Sequence, residues 1–153
     1  MKFMTTTLDA STPITADSLA ELVTLFNTGT LSYERWTHHA HMLVALWYLW
    51  HFPFEEASER IRTGIIKYNG AVGVPHTPTR GYHETITRFY IWVIGEFLKS
   101  CGPETTLEMA AKLMLERLGE RELPLRFYSR DRLFSWEARL TLVSPDLHPL
   151  ELD

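Results

Sequence analysis

From Trp36 to Phe54 the chain carries no Asp, Glu, Lys or Arg. A helix with no charged face has to be covered by protein on every side. The rest of the fold must therefore be arranged around this stretch. It begins with Trp36-Thr37-His38-His39-Ala40-His41 and continues as an almost purely apolar body, Met42 to Trp50. A run of this length also raises the question of a membrane span. Four histidines and Pro53 fall inside it, and its first half is broken by polar side chains, so a buried core helix is the better reading.

Helical periodicity runs through most of the remaining sequence. Leu19, Leu22, Val23 and Phe26 recur at helical spacing behind Ile14-Thr15-Ala16-Asp17-Ser18, which offers capping side chains, and Gly29 suits a left-handed C-cap. The central helix is expected to start at Leu31-Ser32, with Ser32 as N-cap and Glu34 in its first turn, and to stop before Pro53. A third helix is expected over 54–69, a fourth over 82–100 and a fifth over 103–118. Between the third and fourth, Gly70 to Gly81 is punctuated by glycine and proline and reads as a loop. Ser129 and Ser135 would cap two short helical turns, and Val143 to Pro149 reads as extended or turn-like. No alternating strand pattern appears. The fold class expected is all-α: a bundle of four to five helices with an irregular C-terminal segment. It forms a single helical domain over 14–150, behind a loose N-terminal arm over 1–13.

A length of 153 residues suits one domain. The net charge of −4 is spread along the chain without a basic patch, so no nucleic-acid partner is expected. Cys101 is the single cysteine, which excludes an internal disulfide and fits a reducing compartment. Residues 1–13 are threonine-rich without an apolar run, so no secretory leader is expected and the chain reads as soluble and cytoplasmic, with no membrane partner. Five tryptophans leave room for an apolar homodimer patch.

The residues that invite chemistry lie at two helix starts. With about 100° per residue, His38 and His41 share one side of the central helix, and Glu34, four residues before His38 and seven before His41, shares that side. Gly81-Tyr82-His83-Glu84-Thr85 opens the fourth helix. There His83 falls beside the apolar face of Ile86, Phe89, Val93 and Phe97. Glu84 and Arg88 lie on another, more solvated side as an i,i+4 pair. Buried imidazoles need partners. One reading is a divalent metal (zinc, nickel, iron or copper) held by His38, His41 and His83, with Glu84 or Glu34 as general base on a bound water. Tyr82, Arg80 and Thr87 would then contact substrate. A second reading is a metal-free pocket for a small-molecule ligand, and a third is a structural network of buried histidines. His39, His51, His76 and His148 read as surface, rim or loop residues. No phosphate-binding glycine loop, nucleophile elbow or Cys-x-x-Cys is present.

The ordered set Trp36-Thr37-His38-x-x-His41, Tyr68-Asn69, Gly81-Tyr82-His83-Glu84-Thr85, Ser135-x-x-Ala138-Arg139 and Pro145-Asp146-Leu147 resembles a group of small bacterial all-helical proteins of uncharacterised activity. The resemblance spans roughly Leu31 to Leu150 and implies no reaction. A looser likeness, of architecture alone, is to helical-bundle metalloproteins of the DinB type, which hold a metal with three histidines. Architecture does not carry function. Taken together, the sequence points to a small metal-dependent enzyme acting by hydrolysis or group transfer on a small molecule. The alternatives are a non-enzymatic binding module and a structural protein with a buried histidine network.

Overall fold

The computed structural model describes residues 13–151, so the arm expected over 1–13 lies almost wholly outside the described residues. Seven α-helices occur among them: α1 Ala16–Thr28, α2 His38–His51, α3 Phe54–Val72, α4 Glu84–Ser100, α5 Leu107–Leu118, α6 Arg130–Leu133 and α7 Trp136–Leu140. The described residues form no strand beyond an isolated bridge between Thr77 and Arg80. The all-α bundle with an irregular C-terminal end is what the periodicity implied.

Helix α2 is the hub, packing against α1, α3, α4 and α5. Met42 to Leu46 are buried without interruption, which accounts for the missing charges. Helix α1 starts at Thr15, whose hydroxyl accepts from the Ser18 amide while Ser18 answers the Thr15 amide, a reciprocal capping box. It ends at Gly29 with φ 71°, a left-handed position that glycine adopts without strain.

The start of α2 differs from expectation. Ser32 makes no side-chain cap, Tyr33–Arg35 form a single 3-10 turn, and the chain then breaks. Thr37 is the true N-cap, its hydroxyl accepting from the Ala40 amide at 3.1 Å. The physical reason is Trp36. Its indole is drawn inward against Phe26 (centroids 4.8 Å apart) and Tyr68 (5.2 Å), and a helix continuous from Ser32 would not make that turn. Tyr68 fixes the same corner by donating to the Leu31 carbonyl at 2.7 Å.

Helix α3 runs three residues past its expected end, to Val72, and is capped by Gly73 with φ 77°. Helix α5 starts later than expected, at Leu107, because Thr106 caps it. Ser129 and Ser135 cap α6 and α7 as foreseen. The segment after α7 is a strap tied back to the bundle. Thr85 donates to the Thr141 carbonyl and accepts from the Val143 amide, Tyr128 donates to the Val143 carbonyl, and Asp146 accepts twice from Ser129.

Candidate functional site

A cavity of about 640 Å³ opens where the front of α2 meets α3, α4 and the C-terminal turns. That volume suits a small organic ligand, since such sites span about 300–1,000 Å³. Its apolar lining comes from Met42, Ala45, Ile61, Ile65, Ile91 and Leu133. Trp36, His38, His41 and His83 all contribute to its wall, so the histidines picked out in the sequence do converge.

Each imidazole is in a different state. His83 is 7% exposed and serves as the N-cap of α4, its Nδ1 accepting from the Ile86 amide at 3.1 Å. Its Nε2 lies 2.8 Å from the Leu133 carbonyl. A carbonyl only accepts, so the proton sits on Nε2 and both ring nitrogens are used. Burial holds this ring's pKa below its ordinary value.

His41 lies on the indole of Trp36, centroids 3.8 Å apart. Its Nδ1 is 2.7 Å from the Thr37 carbonyl, which places the proton on Nδ1 and leaves Nε2 bare. Burial lowers its pKa to about 4, against the raising effect of that carbonyl; His38 and Arg121 lower it further. His38 is also lowered to about 4, first by burial and then by His39 and Arg121, which together outweigh Glu122 and the Gly119 carbonyl. The His38 Nε2 is buried and has no hydrogen-bond partner, and the same holds for the indole Nε1 of Trp36.

This arrangement does not suit the three-histidine metal centre. His38 and His41 each retain a lone pair, but His83 has none to give while it caps α4 and holds Leu133. Among the described residues no three His, Cys, Asp or Glu side chains are placed to hold a metal ion.

Neither carboxylate proposed as a base lines the cavity. Glu34 is exposed on the 3-10 turn, ahead of α2 and outside the cavity lining. Glu84, expected to be solvated, is 9% exposed. It takes a two-pronged grip from Arg62 of α3 at 3.1 and 2.7 Å, a hydrogen bond from the Tyr82 hydroxyl and a longer contact from Arg88 at 3.4 Å. Burial and the Glu84 carboxylate both push the Tyr82 phenol up. Glu84 is therefore a tie between α3 and α4, and Tyr82 belongs to that tie and not to the cavity wall.

Arg80 and Thr87 do line the cavity. Local sequence gave no hint of Arg121, Glu122 and Arg130, which join them from the segment after α5 and the start of α6. Arg139 is a buried part of the wall, donating to the carbonyls of Pro78, Gly81 and Tyr82 at 3.2, 2.8 and 3.4 Å, and so clamps the glycine-rich loop to α7. Its only advance sign was its place in the Ser135-x-x-Ala138-Arg139 pattern. His39 sits at the rim, 3.3 Å from the Gly119 carbonyl, and His76 packs on Trp136.

Comparison with protein-family models, with curated proteins and with solved structures finds no match to this chain. No helix among the described residues is long and apolar enough to cross a membrane.

Proposed function

We propose that this chain binds a small molecule in the cavity in front of α2, against Trp36, His38 and His41. One observation carries this reading: the indole Nε1 of Trp36 and the Nε2 of His38 are buried without partners, and both residues wall the same cavity. A buried polar atom left unpaired costs about 1–3 kcal/mol, and native chains keep few of them. Both atoms are closed to solvent as the rings stand, so a ligand recovers that cost by drawing the ring edges of Trp36 and His38 toward itself. The apolar lining would hold the rest of it.

A second reading keeps the cavity and makes it catalytic. The bare Nε2 of His41, its ring oriented by the Thr37 carbonyl, would take a proton from the bound molecule. A ring whose pKa is about 4 is a weak base at neutral pH, so binding ranks ahead of turnover.

The test is a thermal-shift screen with cationic, neutral and anionic fragments, run beside His38→Ala and Ala45→Trp, the latter filling the cavity. A fragment at about 100 times its Kd should raise Tm by roughly 5–10 °C. The shift should weaken in His38→Ala and vanish in Ala45→Trp. The reading fails if no fragment binds the wild type, or if hits bind Ala45→Trp equally well. Turnover of a hit that is lost in His41→Gln with Kd retained would promote the second reading.

A further inference from the structure

We infer that the ligand is an oxyanion, a carboxylate or phosphate on an apolar body, held at the cavity mouth by Arg80, Arg121 and Arg130. This rests on the reading that the cavity binds a small molecule. It starts from an imbalance of charge. The chain as a whole is acidic at −4, yet the cavity is lined by four arginines and one carboxylate, Glu122. Ion pairs among the described residues use Arg60, Arg62, Arg88, Lys99 and Arg126. None of them uses Arg80, Arg121, Arg130 or Arg139.

Arg139 is committed to its three carbonyls. The other three come from separate places: the glycine-rich loop, the approach to a 3-10 turn at Leu123–Arg126, and the first residue of α6. Each is exposed, yet all three reach the lining of one cavity. Scattered surface arginines would have no reason to converge, and the acidic chain has carboxylates to spare for pairing them. A guanidinium without a partner carboxylate presents a planar fork that matches a carboxylate or phosphate edge. Clustered like charge at the mouth of an apolar cleft also concentrates anions there.

The floor selects the rest of the molecule. Met42, Ala45, Ile61, Ile65, Ile91 and Leu133 offer no charge, so the body of the ligand is apolar. His38 and His41 share the lining with both sets of residues. Arg121 acts on both rings and favours their neutral forms, which keeps them as hydrogen-bonding groups and leaves the positive charge to the arginines.

Calorimetric titration of the whole chain tests the inference with three probes of matched shape: 3-phenylpropionate, phenyl phosphate and the uncharged 3-phenylpropanamide. At least one anion should bind with a stoichiometry near one, and the amide roughly tenfold or more weaker. Arg121→Gln and Arg130→Gln should each weaken the anion by roughly fivefold or more, as should raising the salt. Arg117→Gln, exposed and outside the lining, should leave Kd unchanged. Preference for the propionate assigns a carboxylate head, and preference for phenyl phosphate a phosphate. An amide that binds as tightly as the acids, or arginine variants that bind like wild type, overturns the anion while leaving the cavity reading intact. Failure of both anions where neutral fragments still raise Tm overturns it in the same way. Failure of every probe and every fragment removes both readings.

Discussion

The imidazole of His41 lies on the indole of Trp36 with ring centroids 3.8 Å apart. The stack places an ionisable group against the buried aromatic corner that Trp36 forms with Phe26 and Tyr68. Protonating it would bring a charge into contact with a side chain that is 7% exposed.

Acid should therefore loosen the fold well before the carboxylates titrate. The His41 pKa is about 4 in the folded chain, against about 6.5 unfolded. Because the folded value is the lower one, the unfolded chain takes up the proton first. Stability should be complete above about pH 6.5 and fall as pH drops toward about 4, by about 2–3 kcal/mol from this group. Denaturant melts at pH 7, 5.5 and 4.5 measure this, and His41→Gln should flatten the slope.

Chelation should leave stability untouched. His83 spends both nitrogens on the protein, so Tm should be the same within about 1 °C with and without EDTA. Elemental analysis should find no stoichiometric metal that is lost on His83→Ala. A chelator-induced drop of several degrees would reinstate the metal centre. His83→Ala itself should cost about 2–3 kcal/mol, through the lost cap and the orphaned Leu133 carbonyl. His83→Asn, which can still cap, should cost less.

Glu84 should behave as a structural tie. Glu84→Gln removes the charge that Arg62 and Arg88 face, and should destabilise the chain by about 1–3 kcal/mol. It should leave the Kd of any cavity ligand within about twofold. A large loss of binding at preserved stability would return Glu84 to the site.

The loop before α4 should tolerate no side chain at its last glycine. Gly81 has φ 98°, and a Cβ there would come within 2.6 Å of the Pro75 carbonyl oxygen. Gly81→Ala should cost roughly 1–3 kcal/mol and displace the carbonyl that Arg139 holds. Melts report the cost, and faster proteolysis within 73–83 would report the displacement.

The central helix was legible because an uncharged stretch has only one place to go. The caps at Thr15, Gly29, Ser129 and Ser135 were legible because capping is decided within four residues. The early start assigned to α2 shows where local rules end. Ser32 satisfies the capping pattern, but the packing of Trp36 on Phe26, ten residues earlier, overrides it in favour of Thr37. The convergence of three histidines could be read from helical phase, whereas their chemistry could not. Only the position of Leu133, fifty residues on, uses up His83. Glu84 was misjudged for the same reason, since its partner Arg62 lies on a helix that phase within α4 does not describe. Arg121 and Arg130 had no local mark at all, because a cavity is a property of the assembled bundle.

The clamp of Arg139 on the Pro78, Gly81 and Tyr82 carbonyls also sets an order of events. Chains emerge from the N-terminus first, and α1 to α4 hold most of the buried core while the last pieces of the cavity wall lie beyond residue 120. A nascent chain can thus gather its core long before it has a place for a ligand. The Thr85 hydroxyl waits even longer for its partners at Thr141 and Val143. Any ligand affinity of this cavity would in that sense be a report on completed synthesis: a chain cut short before α7 would have a core but no finished pocket.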